Sequence, residues 1–197
     1  MISINPWSLR RFAADQQGQI DDMAYGGEFG MVMKPEPYFR GVEHLRGYCR
    51  DPLVILTAPD GKKFDNKAAK SLSKRREIII LTGRYEGIDA RVRKNIVDET
   101  WSIGPFITPG GDLPALTMIS AISRQIPGVV GSRHSVEADS FQDDRLAPPH
   151  YTRPSEFRGY KVPEVLLSGD HEKIKQWRLE QSRQRTENYR KKLTEDR

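Results

Sequence analysis

Two uninterrupted apolar runs, Leu53-Val54-Ile55-Leu56 and Ile78-Ile79-Ile80-Leu81, dominate the hydrophobic pattern of the chain. Runs of this length without polar alternation suit strands buried on both faces of a parallel sheet. Trp101-Ser102-Ile103 is a weaker third strand. Between the first two, Phe64, Ala68 and Leu72 fall four apart, which predicts an amphipathic helix. A helix is also predicted over Pro35 to Gly47, and a short one after Ile88. Leu113, Leu116, Ile119 and Ile122 recur at helical spacing in a run ending at Arg124, with Asp112 as a candidate cap and Pro114 near the first turn. Strands alternating with helices predict an α/β domain with a parallel sheet.

After Pro127-Gly128 the character changes. Residues 131–148 are polar, contain Ser132-Arg133-His134-Ser135 and Gln142-Asp143-Asp144-Arg145, and read as a flexible interdomain linker. Residues 149–197 read as a small helical C-terminal domain, with Ile174 and Trp177 on one helical face and a highly charged tail from Arg183 to Arg197. Such a piece is too small to hold a large core alone. The division is therefore 1–130, 131–148 and 149–197.

The 197 residues suit one large domain, or one domain plus a small appendage. The formal net charge is +5. Locally the balance is steeper: Lys62 to Lys94 holds eleven Lys and Arg against four Asp and Glu. A solvated helix face or a nucleic-acid footprint would each account for it. The single cysteine, Cys49, excludes an internal disulfide and a Cys-rich zinc site, and fits a reducing cytosol. No apolar run approaches a membrane span, and the first residues lack the regions of a secretion signal. Also absent are G-x-G-x-x-G, a P-loop, a zincin pair of histidines and G-x-S-x-G.

Two glycine loops need another explanation. Gly83-Arg84-Tyr85-Glu86-Gly87-Ile88-Asp89 follows the second strand, and the loop with Gly110-Gly111 follows the third. Glycine-permissive backbone can approach a flat ligand closely, so the two loops point to one cofactor pocket. Ligands in open α/β folds collect at the carboxyl ends of strands. The candidates there are Leu56, Thr57, Ala58 and Pro59 after the first strand, and Gly83, Tyr85 and Glu86 after the second. The third supplies Trp101, Ser102, Ile103, Gly104, Phe106, Thr108, Gly110, Gly111 and Pro114.

These loops, together with Ser102-Ile103-Gly104, Gly110-Gly111-Asp112-Leu113-Pro114-Ala115, Ile126-Pro127-Gly128-Val129 and Asp139-Ser140-Phe141, resemble the bacterial tRNA (guanine-N1)-methyltransferases (TrmD-type, SPOUT class). So do Met33-Lys34-Pro35-Glu36-Pro37, Pro149-His150-Tyr151-Thr152-Arg153-Pro154 and Val162-Pro163-Glu164-Val165-Leu166-Leu167-Ser168-Gly169. The resemblance runs in order along nearly the whole chain. It implies a trefoil-knotted α/β domain, a flexible linker and a helical C-terminal domain, working as a cytoplasmic homodimer with its active site at the subunit interface. It further implies methyl transfer from S-adenosylmethionine to N1 of the guanine immediately 3′ of the tRNA anticodon, when that guanine follows another guanine, with magnesium needed for activity.

The resemblance also assigns roles. Neutral guanine N1 carries a proton that a base must take as the methyl arrives. Asp139 matches the family's base, and Arg124 matches the residue that stabilises charge at guanine O6. Without the resemblance, Asp139 would read as a solvated turn residue and Arg124 as a helix C-terminal charge. Ser140, His150, Tyr151 and Arg153 are the tRNA-binding candidates, and Lys173 to Arg185 is either a tRNA-facing helix or a plain solvated face. The resemblance does not place the metal on particular residues.

Three departures stand out. The resemblance implies an opening strand–helix unit before the position of Ile4-Asn5-Pro6-Trp7 that the 197 residues do not include, whether through a different start, a trimmed chain or a true deletion; a true deletion would expose a new sheet edge. Tyr25-Gly26-Gly27-Glu28-Phe29-Gly30-Met31 carries Glu28 and Phe29 where the family has small or rigid residues. Thr108-Pro109-Gly110-Gly111-Asp112 stands where Leu-Ser-Gly-Gly-Glu is usual. A catalytically impaired tRNA-binding homologue is the alternative these departures suggest; the presence of Asp139 and Arg124 argues against it.

Overall fold

The computed structural model describes residues 2–27, 29–131 and 139–195. Contacts divide the chain into two units, 1–131 and 132–197.

The first unit is built on three parallel strands in the order β4-β3-β5: β3 is Leu53–Lys63, β4 is Ile78–Leu81 and β5 is Glu99–Ser102. β3 is central and buried on both faces, which is why its sequence shows no polar alternation. Val54 and Leu56 face one way, with Ile79 and Leu81, against Tyr38 and Val42 of α1 (Pro35–Arg46) and Val92 and Ile96 of α3 (Ala90–Ile96). Leu53 and Ile55 face the other way, against Ala69 and Leu72 of α2 (Asn66–Leu72) and Met118 and Ile122 of α4 (Asp112–Arg124). The result is an α/β unit with helices on both faces of a parallel sheet. A short antiparallel hairpin, β1 (Asp21–Met23) and β2 (Met31–Met33), and a 3₁₀ turn at Leu9–Phe12 precede α1.

Three details differ from the sequence reading. The third strand begins at Glu99, because Glu99 and Thr100 pair with Ile55 and Leu56. β3 continues past Thr57: after the excursion Ala58–Gly61 it pairs again at Lys62. On α4 the apolar stripe splits. Ala115, Met118 and Ile122 are buried, whereas Leu113 and Leu116 are 61% and 59% exposed.

The second unit contains a two-residue-per-strand hairpin, β6 (Glu156–Phe157) and β7 (Tyr160–Lys161), then α5 (Glu164–Leu167) and the long α6 (His171–Glu195). Of the segment expected to be linker, 132–138 lie outside the described residues. Residues from Asp139 on belong to the second unit, where Leu146 N–H donates to Thr186 Oγ1 (3.0 Å) and Ser182 Oγ donates to Leu146 O (2.6 Å). Hydroxyls on the otherwise polar α6 thus dock that segment, and Ser182 and Thr186 are the buried residues of the helix.

Candidate functional site

The three strand-end loops expected to share a pocket meet in the first unit. Gly111 N–H donates to Gly83 O at 2.8 Å, and Arg84 and Gly110 form an antiparallel bridge. Thr57 Oγ1 reaches both Leu81 O (3.4 Å) and Gly111 O (3.3 Å). A Cβ added to Gly111 would lie 2.3 Å from Thr57 Oγ1 and 3.2 Å from Gly83 N. Gly111 therefore permits the approach of three chain segments that any side chain would push apart.

Asp112 does not cap α4. Gly111 is the N-cap, and the Asp112 carboxylate accepts from Thr82 Oγ1 (2.9 Å) and Arg84 Nη2 (2.8 Å). It clamps the second loop to the third. Tyr38, 1% exposed on α1, donates its hydroxyl to Thr82 O at 2.7 Å. Burial, with the Asp112 charge adding to it, pushes the Tyr38 phenol well above its usual range. Tyr38, Thr82, Arg84 and Asp112 were not among the sequence-derived site residues. Each looked local in sequence, yet its partner lies on another element.

The remaining candidates lie on the same three strand-end segments. Tyr85 has φ 57°, a left-handed conformation unusual for a residue with a Cβ, on a loop held by Met33 N–H to Gly87 O (2.9 Å) and Glu86 N–H to Met31 O (3.1 Å). Gly30 packs against this loop so closely that a Cβ would meet Glu86 Cγ at 2.5 Å. Ser102 Oγ donates to Gly104 O (3.0 Å), Thr108 Oγ1 donates to Gly110 O (2.8 Å), and the Phe106 ring covers Gly104. The Trp101 ring makes a T-shaped contact with Phe64 and donates Nε1–H to Glu99 Oε2. Leu56 is buried in the core, while Ala58 and Pro59 lie on the excursion of β3, and Pro114 sits in the first turn of α4. Glu28 lies outside the described residues, and its neighbour Phe29 is exposed.

Against known families, the model described as tRNA (Guanine-1)-methyltransferase TrmD matches residues 1–196. The chain belongs to this family. Its curated relatives include proteins named tRNA (guanine-N(1)-)-methyltransferase. The one from Thermotoga petrophila is 50% identical over 186 residues, covering 94% of this chain and 75% of the relative. That from Sulfurihydrogenibium is 45% identical over 195 residues, covering 99% and 76%. That from Geobacter metallireducens is 47% identical over 186 residues, covering 94% and 76%.

The catalytic and RNA-binding candidates of the sequence reading are spread over both units. Arg124 is the exposed last residue of α4 in the first unit. Asp139 is half-buried at the start of the described part of the second unit. Ser140 Oγ accepts from Ala147 N–H at 2.9 Å and so closes the turn that docks on α6. His150, Tyr151 and Arg153 are brought together with Ile174 and Arg178 around a cleft of about 420 Å³ within the second unit. Tyr151 also meets Trp177 with ring centres 6.3 Å apart. Among the described residues there is no group of three or more His, Cys, Asp or Glu side chains that could hold a metal ion. No helix among them is long and apolar enough to cross a membrane.

Proposed function

We propose that this chain is a tRNA (guanine-N1)-methyltransferase, moving the methyl group of S-adenosylmethionine to N1 of the guanine immediately 3′ of the anticodon when another guanine precedes it. The observation that carries this reading is the closure of three strand-end loops on Gly111 in a chain whose residues 1–196 match that family. The same reading makes the first unit a trefoil-knotted SPOUT domain and the second a separate helical tRNA-binding domain. The close passage of Gly110 and Gly111 against Thr57 and Gly83 is the backbone proximity that threading one loop through another would require.

The junction fits a flat, partly polar ligand, because glycine backbone is presented beside apolar side chains. Leu56 to Pro59, Gly83, Tyr85, Glu86 and the segment from Trp101 to Pro114 would hold S-adenosylmethionine, which supplies an electrophilic methyl on a sulfonium. Asp139 would accept the N1 proton as the methyl group is transferred to N1. A free aspartate has a pKa of about 3.9 and is a weak base for this proton. The Arg124 guanidinium answers that by stabilising negative charge developing on guanine O6. Ser140, His150, Tyr151 and Arg153 bind the tRNA, with Arg153 suited to phosphate. Among the described residues no cluster of His, Cys, Asp or Glu side chains offers magnesium a protein site. The enzyme acts in the cytoplasm as a homodimer, a state supported by the exposed Leu113 and Leu116 of α4 and by Ile107, 80% exposed, before it.

The test is transfer of labelled methyl from S-adenosylmethionine to a tRNA transcript with two guanines spanning the 3′ edge of the anticodon. A transcript with the upstream guanine replaced is the control. Labelling of the first alone supports both reaction and context. Failure to label either, with tRNA still bound, would overturn the assignment.

A further inference from the structure

The methyltransferase reading leaves one strong feature of the first unit unused. Lys67, Lys70 and Lys74 follow one another at helical spacing on α2 and its C-terminal turn, on the side opposite the buried Ala68, Ala69 and Leu72. Arg75 and Arg76 extend the row, and Lys63 lies just before the helix; all six side chains are exposed. Among the described residues, Lys63, Lys70, Lys74, Arg75 and Arg76 make no ion pair, whereas Arg84, Arg91 and Arg93 of the same unit each hold an aspartate. The two nearby carboxylates are occupied otherwise: Asp65 accepts from Ala68 N–H as the N-cap, and Glu77 accepts from Arg50 N–H. One or two cations at a helix C-terminus complement its dipole. Like charges at three- and four-residue spacing oppose helix formation by about as much as an ion pair would favour it. Dipole complementation therefore accounts for part of the row only.

The position of the row identifies its partner. α2 is fastened to the end of α4, where Gln125 Nε2 donates to Asn66 Oδ1 at 2.9 Å and Ala69 and Leu72 share a core with Met118 and Ile122. Arg124 immediately precedes Gln125. A seven-residue helix is roughly 10 Å long, so the cations begin on a helix that packs against the end of α4, whose last residue is Arg124, and run about one helix length. We propose that this face of α2 is a phosphate-tracking surface that binds the backbone of the tRNA next to the nucleotide being methylated. The inference rests on the tRNA reading and adds to it a contact surface on the first unit, separate from the residues assigned to chemistry.

The test uses the full chain with Lys70, Lys74, Arg75 and Arg76 all changed to Gln, beside a Lys70→Arg, Lys74→Arg variant that keeps the charge. Affinity for the full tRNA transcript is measured across a salt series, with melting temperature and calorimetric S-adenosylmethionine binding as checks on folding. Each lost phosphate contact lowers the slope of log K against log salt by about 0.7–0.9. The Gln variant should lose at least about two slope units and bind roughly tenfold or more weakly at low salt. KM for tRNA should rise while kcat at saturation stays, and the Arg variant should match the parent. An unchanged slope with intact S-adenosylmethionine binding overturns the proposal. So does unchanged tRNA binding accompanied by lost binding to vesicles of anionic phospholipid, which would assign the face to a membrane. If the parent methylates no tRNA but the slope still falls in the Gln variant, the surface stands and the enzymatic reading fails.

Discussion

Gly111→Ala puts the loop junction to a direct test. The backbone there is ordinary, with φ −74° and ψ −3°, so alanine brings no dihedral strain. At such a position, alanine should even stabilise by about 0.4–1 kcal/mol through the unfolded chain. Crowding opposes this: the new Cβ would sit 2.3 Å from Thr57 Oγ1. Thr57 is 8% exposed, and rotating it away breaks its bonds to Leu81 O and Gly111 O. Overpacking of a filled site costs about 1–3 kcal/mol, and a lost buried hydrogen bond about 1 kcal/mol. The net expectation is a loss of about 2–3 kcal/mol, or roughly 4–12 °C in melting temperature. Thr57→Ala alone should cost about 1–2 kcal/mol. In the double variant the colliding oxygen is gone, and the nearest remaining contacts are at 3.2 Å. The double variant should therefore recover about 1–2 kcal/mol relative to the sum of the singles. Urea unfolding of the four proteins measures the cycle, and calorimetry with S-adenosylmethionine measures the site. Additive singles, or a Gly111→Ala protein as stable as the parent, would refute the idea that Gly111 is there for space.

Three further outcomes are expected. Asp139→Asn should lower turnover by about 10²–10⁴ with little change in S-adenosylmethionine affinity; unchanged turnover removes Asp139 from the mechanism. Titration with S-adenosylmethionine should alter tryptophan fluorescence through Trp101, and a silent titration alongside calorimetric binding contradicts its placement near the ligand. Asp89 caps α3 by accepting from Arg91 N–H at 2.8 Å, and its carboxyl is held below the usual range chiefly by the Arg91 side chain. Its contribution is therefore present above the unfolded pKa of about 3.9 and fades as pH falls through the lower folded value. Asp89→Ala should cost about 1 kcal/mol at neutral pH and less in acid; a pH-independent cost would contradict the charge assignment.

What the sequence pattern reveals here depends on what fixes each residue. Val54 and Ile55 are fully buried, on opposite faces of β3, so their strand was visible as an unbroken apolar run. The start of β5 was not visible, because Glu99 and Thr100 owe their strand conformation to pairing with β3 rather than to their own character. Helical spacing on α4 announced apolar faces but could not say which one meets the sheet. Ala115, Met118 and Ile122 fill the space there, and Leu113 and Leu116 are turned outward. Polar roles were the least visible. Asp112 stands where a cap belongs, yet its partners Thr82 and Arg84 arrive only because the Arg84–Gly110 bridge brings two loops together. Asp139 and Arg124 are proposed on a different ground, their positions in motifs that resemble a family's, since nothing in their local spacing separates them from solvated charges. A polar residue's function is thus fixed by partners distant in sequence. The close approach at Gly111 is where such partners meet, so a change there should disturb both the packing of β3 and the binding of the methyl donor.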